Sequence, residues 1–182
     1  MLCVVLALAL MFVPFQEAET RTVGLRDMGS FTYDSSVSVA PDVDRLYGLV
    51  ETILEFIEAR CVPLPDPLGI QGNGCYIEPS QLELRVYVMA YADFEDMILE
   101  RLDRNKPALA EEIRGDKSLI DGHTQHSITG PRLFFYQMPS DVIFVHEMMH
   151  VIYPFSDEKI AQQRQSHFLT SHEYKEWLRR NF

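Results

Sequence analysis

The chain has 182 residues, 27 of them acidic and 16 basic, for a formal net charge of −11. That length supports one hydrophobic core and not two. So acidic a balance argues against nucleic acid or an anionic membrane as the main partner. A chain with 47% hydrophobic and 24% charged residues has enough apolar surface to fold as an ordinary globular domain.

At the N-terminus, the first fifteen residues, MLCVVLALALMFVPF, carry no charged side chain. The run is too short to cross a bilayer comfortably and reads as the apolar centre of a secretory signal, with Ala18 as its last residue. Residues 1–18 are therefore expected to be a removed signal peptide. The mature chain would then be secreted or periplasmic, with no stable membrane span. Residues 19–40 are polar, rich in Ser and Thr and without a period, and are expected to form a loosely held lead-in. Residues 41–182 are expected to be a single folded domain.

Pro41 is read as opening a helix at its first position. Leu46, Leu49, Val50, Ile53, Leu54 and Ile57 follow at helical spacing, with Asp44, Glu51, Glu55 and Glu58 elsewhere on the wheel. Next comes CVPLPDPLGIQGNGC, whose three prolines and three glycines exclude a helix or strand. Its ends, Cys61 and Cys75, are the even pair left once Cys3 departs with the signal. In an oxidising compartment they are expected to form a disulfide, worth roughly 3 kcal/mol in the chain-entropy model. In a reducing one they stay free thiols.

Residues 82–89 alternate as LELRVYVM, with Leu82, Leu84, Val86 and Val88 on one face, the pattern of a half-buried strand. Helical spacing returns through Phe94, Ile98 and Leu102. A short helix over 107–114 is expected between Pro107 and Gly115. Residues 118–137 read as extended segments broken at Gly130 and Pro131, LFFY being the clearer strand, and helix resumes from Ser140. The fold class is α+β: a small sheet packed against helices.

The chemistry lies in SDVIFVHEMMHVIYPFSDEKIAQQ, residues 140–163, which contains H-E-x-x-H as His146, Glu147, Met148, Met149 and His150. On a helix, residues four apart share a face, so both imidazoles reach one ion at about 2.0–2.1 Å. Glu147 projects from the adjacent side, placed for a water on that ion rather than for the ion itself. Random placement of this chain's own histidines and glutamates would give roughly 0.02 such matches. Glu147 is also a charge within a run otherwise built to be buried, costly without a partner. The competing reading is a core helix with two satisfied histidines and a glutamate reaching solvent.

This helix resembles that of the zincin zinc metallopeptidases. The resemblance covers about 25 residues and implies a zincin-like fold, Zn2+ as cofactor, His146 and His150 as ligands and Glu147 as the general base. The metzincin continuation H-x-x-G-x-x-H fails, because Tyr153 stands at its glycine and Ser156 at its last histidine. The stretch EKIA, Glu158 to Ala161, is instead similar to the glutamate-bearing helix of gluzincins, where Glu is the third ligand and a small residue one turn on allows close packing. Typical gluzincins carry that Glu much further along, so the implied site is compact. Pro154 ends the first helix, and Ser156 is read as the N-cap of the second, with Asp157 and Glu158 in its first turn. Glu158 is the leading third ligand, and Asp157, His167 and His172 are the other candidates. Cys61 or Cys75 would complete a His/His/Cys set, but their loop suits a disulfide better.

The function so implied is hydrolysis of peptide bonds in a peptide or protein substrate, through a zinc-activated water. Tyr153, His167, His172 and Tyr174 are candidates for a second oxyanion donor. His123 and His126, in DGHTQHSIT, sit where a substrate-lining edge strand could precede the site helix, and are otherwise surface residues. The competing functions are another zinc-dependent amide hydrolysis and an exported zinc-binding interaction protein with no peptidase activity.

Overall fold

The computed structural model describes residues 19–60, 78–116, 120–154 and 156–182. The signal-peptide reading and the Cys61–Cys75 disulfide fall outside the described residues. Among them the fold is mixed α+β, with a five-stranded sheet and six α-helices.

Strands β1 (Thr20–Gly24) and β2 (Gly29–Asp34) form an antiparallel hairpin. The stretch expected to be a loose lead-in thus supplies two strands, because Phe31 and Tyr33 alternate inward and are almost wholly buried. Gly29, at φ +150°, starts β2 where the chain runs against β3. A Cβ there would lie 1.8 Å from the Leu84 carbonyl oxygen, so no other residue fits.

Helix α1 (Val43–Arg60) follows. It begins after Pro41, because the Asp42 carboxylate accepts the Arg45 amide at 3.0 Å and fixes the start there. All six positions expected to face inward are buried, as are Tyr47, Thr52 and Phe56. A single 3-10 turn, Pro79–Gln81, leads into β3 (Leu84–Val88), whose Leu84, Val86 and Val88 face the core as the alternation requires. Helices α2 (Tyr91–Asn105) and α3 (Pro107–Gly115), strands β4 (Gly122–Gln125) and β5 (Arg132–Phe135), and helices α4 (Asp141–Ile152), α5 (Glu158–Leu169) and α6 (His172–Asn181) complete the described chain.

The strand order is β1-β2-β3-β5-β4. The two central pairings, β2 with β3 and β3 with β5, are parallel, and both outer ones are antiparallel. Parallel partners need a crossover: α1 joins β2 to β3, and α2, α3 and β4 lie between β3 and β5. The sheet is covered on both faces. One carries the main core, where Leu84, Val86, Leu133 and Phe135 meet residues of α1, α4, α5 and α6. The other carries a smaller cluster, Phe94 and Ile98 of α2 against Phe134 and Tyr87. Strand β4 pairs only with β5 among the described residues, so its outer edge is open beside α4.

Candidate metal centre

Helix α4 is apolar nearly all round, as a helix buried between a sheet and other helices must be. Phe144, Val145, Met148, Met149, Val151 and Ile152 enter the core. Its start is set by the Ser140 hydroxyl, which accepts the Ile143 amide at 3.4 Å. Arg45 of α1 ties its first turn down through Asp141 at 2.5 Å. The polar stripe left over is His146 and His150, one turn apart, with ring centroids 5.0 Å apart and only 18% and 21% of their side chains exposed.

The chain turns back after Tyr153. The amide and hydroxyl of Ser156 both donate to the Tyr153 carbonyl, at 2.9 and 2.8 Å, closing a tight turn. Ser156 therefore ties the turn and does not cap α5; the cap is Asp157, whose carboxylate accepts the Ile160 amide at 2.9 Å. Ala161 is fully buried in the core, small enough for α5 to lie close against α4. This packing brings Glu158 opposite both imidazoles. Its Oε1 lies 3.0 Å from His146 Nε2 and its Oε2 3.3 Å from His150 Nε2.

His146, His150 and Glu158 form the group of potential metal ligands found among the described residues, their donor atoms all within 4.8 Å of one another. Donors held at 2.0–2.1 Å in a tetrahedron stand about 3.3 Å from each other, close to the two separations seen. Two glutamines of α5 arrange the set. Gln162 donates to Glu158 Oε1 at 3.1 Å. Gln165 donates its amide to the Val142 carbonyl at 2.7 Å, which turns its Oε1 toward His146 Nδ1 at 3.4 Å. An acceptor at Nδ1 suits a proton there, and in the neutral ring so arranged it is the Nε2 lone pair that faces the Glu158 carboxylate. Two electron-rich atoms are a poor pair for each other and a good pair for a cation. Burial, followed by the neighbouring His146, pushes the His150 pKa down and so favours the neutral imidazole that a metal takes.

Glu147 is 6% exposed. Strand β4 makes room for it: a Cβ on Gly122 would stand 3.0 Å from Glu147 Oε1 and 2.8 Å from the Phe135 ring, so a larger residue there would push on both side chains. Thr124, two residues on and on the same face, points its hydroxyl at Glu147 Oε2 at 2.5 Å and at the Glu147 carbonyl at 3.1 Å. Burial raises the Glu147 pKa, while the Thr124 hydrogen bond pulls it down. A buried carboxyl held in this way is suited to exchanging a proton.

The remaining candidates lie elsewhere. The Asp157 carboxylate is used as a cap, and His167 and His172 are exposed on α5 and α6 outside the cluster. Tyr174 is buried, stacked on Trp177. Tyr153 sits under the Arg164 guanidinium, 3.3 Å from its ring centroid. His126 Nε2 meets the His150 carbonyl at 3.1 Å, which leaves the ring only the donor role there, and His123 Nε2 meets Arg101 at 3.0 Å. Sequence reasoning missed Gly122, Thr124, Gln162 and Gln165. The two glutamines were detectable, since 158, 162 and 165 share one helical face.

Comparison of the chain with protein-family models, with curated proteins and with solved structures finds no match.

Proposed function

We propose that this chain is a zinc-dependent metallopeptidase of zincin type, gluzincin-like and compact, which hydrolyses peptide bonds in a peptide or protein substrate. The observation that carries the reading is the convergence of both α4 imidazoles on the two oxygens of Glu158, beside a buried carboxyl on the same helix. His146, His150 and Glu158 would hold the ion. When bound, zinc supplies Lewis acidity, which acidifies water and draws charge from a carbonyl oxygen.

The chain's own residues do the rest. Glu147 takes a proton from water as the water oxygen bonds to the carbonyl carbon, then gives it to the amide nitrogen as the C–N bond breaks. Thr124 and the space left by Gly122 keep the carboxyl in place for both transfers. The open edge of β4 offers backbone hydrogen-bonding groups along which an extended substrate can lie. The acidic balance argues against nucleic acid as the substrate.

Metal analysis beside a peptide-library assay tests this. Wild type is expected to carry one zinc per chain and to cleave peptides. Glu158→Ala should lose the zinc, and Glu147→Gln should keep it while turnover falls by about 10²–10⁴-fold. A wild type that takes up no zinc after reconstitution would overturn the reading. Zinc without cleavage of any peptide would replace it with a zinc-binding interaction protein.

A further inference from the structure

Strand β4 has two faces with different chemistry. Gly122 and Thr124 meet Glu147 on the α4 side. His123 contacts Arg101 of α2 at 3.0 Å on the opposite side, and Gln125 helps line a hollow there of about 340 Å³ with Met97, Glu100, Arg101, Arg104 and Asn105. Within that hollow Arg104 is paired with Glu100. Arg101 forms no ion pair with a carboxylate among the described residues; it is exposed, and the partner of its Nη1 is a neutral acceptor, His123 Nε2. A solvated cation is thus left over beside the open edge, in a chain whose net charge is −11.

A peptide that adds to β4 as a further strand continues its pleat, so successive side chains alternate between the two faces. Those on one face look toward Glu147 and the metal ligands, and those on the other toward Arg101. We infer that the open edge of β4 binds extended peptides carrying an acidic side chain, Asp or Glu, on the Arg101 side, one residue removed from the position that faces Glu147. This rests on the proposed peptidase reading and gives it a substrate class. The chain's overall charge works against acidic ligands, so the preference is local to Arg101.

The test is a binding array with the zinc-supplemented Glu147→Gln chain, repeated with chelator-treated wild type, so that the peptides survive. Extended peptides of a neutral Ala/Thr/Val background carry Glu, Gln or Lys at one position at a time. The Glu peptide should bind about threefold better than Gln and about tenfold better than Lys, and only at alternate positions. Arg101→Gln should bring those ratios toward one, Arg101→Glu should invert them, and added salt should shrink them in wild type. Equal binding of all three, a preference for Lys throughout, an acidic preference without alternation, or no measurable binding overturns the inference. Failure of the enzyme reading shows separately, in zinc content and cleavage.

Discussion

Two pairs of histidines lie close together in this molecule and have opposite fates. His146 and His150 are four apart on a helix, share a face, and point both Nε2 atoms at one carboxylate. His123 and His126 are three apart along β4 and its exit, and separate: one turns to Arg101 beneath the sheet, the other to the His150 carbonyl. The residue type is the same. What differs is the period of the backbone, 3.6 in one case and 2 in the other, and that decides whether two imidazoles make a site.

The comparison breaks most sharply at its ends. His150→Ala should abolish stoichiometric zinc, whereas His126→Ala, which removes a donor to one carbonyl, should leave metal content unchanged. Equal loss in both would mean that the pairs are not distinct. It sharpens at Gln165, which touches no ion in this reading but holds the His146 ring through Nδ1. Gln165→Ala is expected to weaken zinc binding about 10–100-fold, as loss of such a support does elsewhere. Competition against a chelator measures this, and unaltered thermal unfolding of the zinc-free chain separates it from a folding defect.

The smallest effect concerns His123. Burial, with the Arg101 charge adding to it, brings its pKa down from 6.5 to about 4. Between those values the unfolded chain binds a proton that the folded chain refuses, so stability falls as pH drops from 6.5 toward 4. His123→Gln should flatten that fall by on the order of 2 kcal/mol. Denaturant unfolding at pH 7 and pH 4.5 reads the difference, and an unchanged slope would mean that His123 titrates normally.

Long periodic segments are legible in the sequence alone. The inward face of α1, the alternation of β3 and the H-E-x-x-H helix all rest on side chains repeating at one period over several turns or residues. The hairpin at 20–34 is not, because β1 is exposed along most of its length and only Phe31 and Tyr33 of β2 are buried, too few to show a pattern. The cap of α5 was misplaced by one residue, since Ser156 and Asp157 are both good caps and only the turn geometry chooses between them. Within the site, spacing along one helix predicted which residues of α4 would face together. Glu158 was named from a resemblance, and the packing of α5 brings it opposite them. Gly122 and Thr124 had no signal at all: GHTQ is too short to carry a period, and their meaning comes from Glu147, which reaches them only across the tertiary fold.

The parallel centre of the sheet has a consequence for how the molecule is made. No local turn can zip β3 to either neighbour. One partner must wait for α1 to close a long loop, and the other for α2, α3 and β4. Closing such loops costs entropy before any ladder forms to offset it, so assembly of the parallel centre is expected to be slow relative to the antiparallel edges. The two antiparallel edges can form early. The β4–β5 hairpin can therefore hold Gly122 and Thr124 in register independently of α4, which sets Glu147 against them. The cradle belongs to a local hairpin, and the carboxyl comes to it from a distant helix.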